Sequence, residues 1–301
     1  MAVPRPGKAR RHRAPARFEI GHYVLPNSET DNSGLKATRT ATPNSSLHEE
    51  CKAAEPRLRI HVLRRWTGGR IRLPRVPQYR AVFELFGAPI QRYDFFRYLA
   101  VYHFGGFYLD LDVLLGSGLS TLLERGCVFP FERLTFSHRL RTELGMDWEI
   151  GNYAFGAAAG HPFLEAIIKN CVRGQRDPLW VKSMMRGTPP LDKDLYSIFY
   201  STGPGLCSRT LAENPELAKT VTVLLPDDVC DVRNWYQFGE YGVHLMNSSW
   251  RPKRGFVLGR LGYYHWRWME RRLLQKSRAS GSSRRHLTNC EAVSLNSQER
   301  L

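Results

Sequence analysis

Apolar positions are spread unevenly along the chain, and their spacing changes character several times. Over residues 1–55 no apolar period can be followed. Pro, Ser, Thr, Asn and Arg dominate there, which predicts a disordered segment. Apolar residues become frequent from Leu58, although Pro74, Pro77 and Pro89 interrupt the stretch to Ile90, and residues 91–260 carry the densest pattern. Within it, Asp94 to His103 has helical spacing, with Phe95, Phe96, Leu99 and Ala100 on one stripe. Asp94 and Arg97, three apart, project from neighbouring positions of one face. Gly105-Gly106 stops the helix, as glycine past a C-terminus does. The residues after it alternate as a strand does: Phe107, Leu109, Leu111 and Val113 on one face, Tyr108, Asp110 and Asp112 on the other. An aromatic and basic stretch, YYHWRWMERRLLQK, fills 263–276, and 277–301 reads as a second disordered tail. The expected organisation is a disordered segment over 1–55, a folded domain over 56–276 and a tail over 277–301.

Composition changes this picture in three respects. A chain of 301 residues, 42% hydrophobic and 24% charged, has room for one large α/β domain or two small ones. No stretch reaches the roughly 20 apolar residues of a membrane-spanning helix, and the first residues lack the apolar centre of a signal peptide. The net charge of +16 suggests nucleic acid until it is located. Residues 1–17 hold six basic side chains and no acidic ones, and residues 251–301 hold twelve and three. The 233 residues between them hold 26 basic and 25 acidic side chains, so the folded region is nearly neutral. With no nucleic-acid-binding motif either, a role as a basic nucleic-acid-binding protein is the weaker reading. The six cysteines form no CxxC pair, which argues against a zinc site built on cysteine spacing.

The chemistry sits at the end of the predicted strand. Two aspartates at i and i+2 repel each other unless something positive lies between them. A divalent cation of the Mg2+ or Mn2+ type, which prefers oxygen ligands, satisfies that arrangement. Such a cation keeps open positions for substrate phosphates and stabilises a departing diphosphate. Asp-x-Asp alone is a weak signal. The chain contains a second one, Asp192-Lys193-Asp194, in a Pro-flanked polar stretch with no strand around it, which reads as a solvated loop. The context of Asp110 and Asp112 is what separates the two.

That context resembles a known family. The stretch YDFFRYLAVYHFGGFYLDLD (93–112) is similar to the pattern (A/S)D-x-x-R-Y-x-x-L-x-x-x-GG-x-Y-x-D-x-D of the family 32 glycosyltransferases. These carry a sugar-binding region containing a DXD motif, and include initiating mannosyltransferases and inositol-phosphoceramide mannosyltransferases. Tyr93 replaces the usual small residue. The resemblance extends over roughly 90–255, through IGNYAFGAAAGHPFLEAII (150–168), YSTGP (200–204) and GVHLMNSSW (242–250). The family's opening strand has a loose counterpart in RLRIHVLRRW (57–66), at Ile60, His61 and Trp66.

The resemblance implies a GT-A fold, a mostly parallel mixed sheet between helices. It also implies transfer of a hexose, with retention, from a UDP- or GDP-sugar to a glycan, lipid or protein acceptor. Asp94 and Arg97 then hold the donor's sugar hydroxyls, Tyr108 lines the same pocket, Asp110 meets ribose or metal, and Asp112 coordinates Mn2+ or Mg2+. His244 is open between a metal or diphosphate contact and a histidine that supports its loop. Asn152 is open between a donor or acceptor contact and satisfaction of backbone groups; Ser249 and Trp250 reach toward the diphosphate, with the core as the alternative for Trp250. Family members in secretory pathways work in the Golgi. The basic 263–276 stretch is read as a docked C-terminal helix, with peripheral membrane contact as the alternative. A member that binds sugars without catalysis is a further alternative to the enzyme.

Overall fold

A computed structural model of the chain describes residues 19–26, 58–64, 77–189, 192–246 and seven helical positions within 267–275. The strands are β1 (Glu19–Pro26), β2 (Leu58–Arg64), β3 (Gly106–Leu109), β4 (Val113–Leu115), β5 (Cys127–Leu134), β6 (Trp148–Ile150), β7 (Ala154–Ala157), β8 (Thr222–Leu224), β9 (Gln237–Phe238) and β10 (Gly242–His244). The main sheet runs β2-β1-β3-β7-β5-β6, with β8 added on β5, and a small sheet runs β4-β10-β9.

Side chains of the main sheet alternate between two cores. Tyr108, Phe129, Phe131 and Phe155 face helices Pro89–Phe104, Pro162–Arg176, Lys193–Ser201 and Pro204–Glu213. Phe107, Leu109 and Val128 face the other way, toward Val113 and Phe238 of the small sheet. Phe155 is the centre of the helical side. It stacks on Phe129 at 5.0 Å and lies 5.7 and 5.8 Å from the rings of Tyr98 and Tyr108. Truncating a buried ring of this kind to alanine typically costs about 3–5 kcal/mol.

This is the mixed α/β, GT-A-like layering that the resemblance implies, with two differences. The expected sheet is mostly parallel, yet among the described strands of the main sheet only β5–β8 pair in parallel. The expected sheet also lies between helices, whereas here the second face is covered by the small sheet. Both follow from element order. Parallel neighbours need a long crossover, usually a helix, between successive strands, and residues 106–157 contain β3 to β7 with one short α-helix, His138–Thr142, and a single 3-10 turn, Ser120–Leu122. The helices come in a run afterwards, and the chain then returns as β8 alongside β5.

The expected disorder of 1–55 is also corrected in part. EIGHYVLP, rich in residues that favour strands, forms β1 and pairs with both β2 and β3. The RLRIHVLRRW stretch supplies β2 at the sheet edge, and Trp66 lies outside the described residues. Of the 263–276 stretch, Leu274 packs on the core and Glu270 is buried beside Arg267, while Trp268 is half exposed. These contacts favour the docked reading. Among the described residues no helix is long and apolar enough to cross a membrane. The 277–301 tail, Cys51 and Cys290 lie outside the described residues; Cys127, Cys171 and Cys207 are free and buried, and Cys230 is buried.

Candidate active site

The helix Pro89–Phe104 positions the first half of the site. Proline at its first turn suits the fixed backbone there, and the Gln91 side chain accepts from the Ala88 N–H. The sequence pattern shows one apolar stripe, but every residue from Asp94 to Val101 is buried, so the helix is enclosed on all sides. Gly105 ends it with φ 69°, its N–H bonded to Val101 O at 2.8 Å. A Cβ at this glycine would stand 2.9 Å from the backbone nitrogen of Ala159, so no other residue fits without a shift. The chain turns there directly into β3.

Enclosure forces Asp94 and Arg97 to find partners, since an unpaired buried charge is costly. Arg97 Nη2 lies 3.4 Å from Asp94 Oδ1, and Nη1 lies 3.2 Å from Asp110 Oδ1 and donates to Asn152 O at 2.8 Å. Its guanidinium sits 4.5 Å above the Tyr108 ring. Asp94 accepts from Asn152 Nδ2 at 3.1 Å and Thr202 Oγ1 at 3.0 Å. Even so, burial outweighs Arg97 and these hydrogen bonds, and holds the Asp94 carboxyl up at about 6. Burial alone would lower the Arg97 pKa, but Asp110, Tyr108 and Asp94 more than offset it, so the guanidinium stays charged.

β3 delivers the second half. The alternation predicts one strand through Val113, but the strand ends at Leu109 and the chain turns at Asp110–Asp112. Asp110 N–H bonds to Tyr153 O at 2.7 Å, and Val113 N–H bonds back to Asp110 O at 3.0 Å. The turn carries the chain from the main sheet into β4 of the small one. β4 pairs with β10 with Val113 opposite His244, which brings a histidine 132 positions away beside the two aspartates. His244 Nε2 lies 3.2 Å from Asp112 Oδ1, and Leu245 N–H donates to Asp112 O at 2.8 Å. Tyr108 OH donates to Asp110 Oδ1 at 2.8 Å, and burial keeps that phenol protonated.

One ligand atom from each of Asp110, Asp112 and His244 lies within 4.8 Å of the others. Two carboxylates and an imidazole at that spacing fit a divalent cation. Burial raises the Asp110 carboxyl, with Arg97 and His244 opposing it. For His244, burial lowers the pKa, but the Asp112 hydrogen bond and the charges of Asp112, Asp110 and Glu132 prevail and raise it.

Seven sequence-predicted residues converge here: Asp94, Arg97, Tyr108, Asp110, Asp112, Asn152 and His244. The Asn152 side chain is committed to Asp94 and to Tyr98 OH, the latter at 2.7 Å, so it braces the acidic side chain from beneath. Ser249 and Trp250 lie outside the described residues. Sequence reasoning missed Tyr98, whose hydroxyl donates to Thr202 O at 2.7 Å, and Tyr153, whose ring stacks on His244 at 4.4 Å. It also missed the buried Glu132. Tyr153 follows Asn152 just before β7, which is the one local signal that points to it. Asp192, expected in a loop with Asp194, stands at the N-terminal boundary of the helix Lys193–Ser201, and Asp194 lies in its first turn.

Comparison with known proteins bears on this arrangement. Residues 70–128 match the family described as glycosyltransferase sugar-binding region containing DXD motif. Within the matched stretch, Asp110-Leu111-Asp112 reads Asp-x-Asp. Inositol phosphoceramide mannosyltransferase 2 of Schizosaccharomyces pombe is 27% identical over 178 residues, covering 58% of this chain and 44% of the relative. Inositol phosphoceramide mannosyltransferase 3 of the same organism is 33% identical over 98 residues, 32% of this chain and 24% of the relative. The chain thus spans less than half the length of these relatives. No solved structure gives a significant match. The matched stretch ends in β5, so Asn152, Tyr153, Thr202 and His244 join the site from beyond it.

Proposed function

We propose that this protein is a metal-dependent, retaining glycosyltransferase that moves a hexose from a nucleotide-diphosphate sugar to a glycan, lipid or protein acceptor. The observation that carries the reading is the approach of Asp110, Asp112 and His244 to one point beside the buried Asp94–Arg97 pair. Asp112 and His244 would hold the cation with Asp110, and the imidazole among the ligands favours Mn2+ over Mg2+. When bound, the cation neutralises the diphosphate and stabilises it as a leaving group.

The rest falls to the chain's own side chains. Asp94 accepts from donor hydroxyls and Arg97 donates to them, fixing the sugar against the turn. Tyr108 holds Asp110 by its hydroxyl and closes the floor of the pocket. Their orientation is set before substrate arrives, which lowers the entropy lost on binding. Ser249 and Trp250 are assigned to the diphosphate by resemblance. No side chain is assigned as a nucleophile. The relatives' names make mannose the first donor sugar and an inositol-containing lipid the first acceptor to test. A screen of UDP- and GDP-sugars for slow donor hydrolysis in Mn2+ tests the reading. One sugar nucleotide hydrolysed only with the cation supports it, and no hydrolysis or transfer with any donor contradicts it.

A further inference from the structure

We infer that Tyr98 is a positioning residue for Asp94: its hydroxyl holds Asn152 and Thr202 in place, and these two direct the Asp94 carboxylate so that Oδ2 is the atom left to receive a hydroxyl of the donor sugar. The inference rests on the donor reading above and deepens it. Asp94 and Tyr98 are four apart on the helix Pro89–Phe104, so they stand one above the other on one face, and both are buried. The Tyr98 hydroxyl has one proton to give, and burial holds that proton on the oxygen. It goes to Thr202 O at 2.7 Å. The same oxygen therefore accepts from its other neighbours, Asn152 Nδ2 at 2.7 Å and Cys207 Sγ at 3.2 Å.

The two residues that Tyr98 holds are the two that donate neutral hydrogen bonds to Asp94. Asn152 Nδ2 turns its second proton to Asp94 Oδ1 at 3.1 Å, and Thr202 Oγ1 donates to Oδ2 at 3.0 Å. Neither residue belongs to the helix of Asp94. Asn152 lies just before β7, and Thr202 is the C-cap of the helix Lys193–Ser201, so one hydroxyl sets three elements against each other at the carboxylate. Without it, Thr202 O and an Asn152 N–H would lose a buried partner, which is costly enough to shift both. The distribution of donors then decides which oxygen stays available. Arg97 Nη2, at 3.4 Å, and Asn152 both face Oδ1, whereas Thr202 alone faces Oδ2. A carboxylate oxygen accepts about two hydrogen bonds, so Oδ1 is filled and Oδ2 keeps one place.

The test is calorimetric titration of the full chain in Mn2+ with GDP and GDP-mannose, and with UDP and UDP-glucose, in wild type, Tyr98→Phe, Asp94→Asn and the double variant. The quantity read is affinity for the sugar nucleotide relative to its own nucleotide, which isolates the contacts of the sugar. In Tyr98→Phe this ratio should fall on the order of tenfold, the weight of one hydrogen bond, with affinity for the bare nucleotide unchanged. Asp94→Asn should lower the ratio at least as far. Because Tyr98 acts through Asp94, adding Tyr98→Phe to Asp94→Asn should lower it no further. A wild-type ratio in Tyr98→Phe, an equal loss of both affinities, or full additivity in the double variant overturns the inference; a lowered ratio in Asp94→Asn alongside leaves the donor reading intact. An unchanged ratio in Asp94→Asn removes the sugar contact and the inference together, and binding of neither sugar nucleotide by wild type overturns both readings. Should Tyr98→Phe fail to fold, Thr202→Val decides. It removes the hydroxyl that ties Oδ2 to the segment Tyr98 holds, so the ratio should fall likewise, and a wild-type ratio rejects the assignment.

Discussion

Two buried arginine–carboxylate clusters sit in this molecule. In one, Arg133 Nε meets Glu149 Oε2 at 3.1 Å, and Glu149 Oε1 accepts from Thr135 Oγ1 at 2.6 Å and Tyr200 OH at 3.0 Å. The Arg133 guanidinium is wrapped by the rings of Phe136, Phe199 and Tyr196. Glu149 is wholly buried, and its partners all come from the protein. In the other, Arg97 lies between Asp94 and Asp110, yet Arg97 Nε is buried with no hydrogen-bond partner among the described residues. The side chains of Asp110 and Asp112 keep 23% and 19% of their exposure. The same residue types therefore serve two ends. A closed, saturated cluster fixes a core, and a cluster that leaves charge at the surface of the fold keeps a place for a ligand.

The comparison can be broken where it is strongest. Glu149→Leu leaves Arg133 charged and buried without its ion-pair partner, and loss of one partner of such a pair costs about 3–5 kcal/mol. Denaturant unfolding should show a loss of that size, with turnover per folded molecule unchanged. A stable variant would mean that the closed cluster contributes little. On the open side, Asp112→Asn keeps the shape of the side chain and removes the charge. Turnover should fall about a hundredfold or more, roughly 2.7 kcal/mol of transition-state stabilisation, with little change in melting temperature. Full activity in this variant would remove the site assignment.

Asp94 sharpens the contrast through pH. Its folded-state value of about 6 lies above the ordinary value of 3.8, so the folded chain holds this proton more tightly than the unfolded one. The stability it contributes is present below pH 3.8 and is lost as pH rises through about 6. Asp94→Asn removes that dependence. Its stability relative to wild type should rise between about pH 4 and pH 6, by on the order of 1–3 kcal/mol, then level off. A flat difference across that window would show that Arg97 and its neighbours fully compensate the buried charge. The smallest effect belongs to the other Asp-x-Asp. Asp192→Asn alters a helix start away from the site, and turnover should stay within about a factor of two.

How much of this was legible beforehand differs between near and distant residues. Asp94, Arg97, Gly105, Tyr108, Asp110 and Asp112 lie within 19 positions, and helix and strand periods alone fix their relative placement. Pairing direction is not local. Nothing in the alternation of Phe107 to Val113 says that the strand breaks at Asp110 or that its continuation joins β10. The position of His244 beside Asp112 depends on that pairing, as does the stacking of Tyr153 on its ring. Burial of the whole Asp94–Val101 stretch was hidden for the same reason. A polar residue on a helix reads as solvent-facing until helices and sheet are seen to close around it, which is what Tyr98, Asn152 and Thr202 do here.

The central claim is that the open cluster is completed by a cation that carries the donor's diphosphate. Calorimetric titration of the full chain with UDP and with GDP, in Mn2+ and again in EDTA, measures this directly. Asp110 and Asp112 repel a diphosphate unless a cation lies between them, so binding of one nucleotide should be measurable in Mn2+ and lost in EDTA. Equal affinity in both conditions would contradict the account.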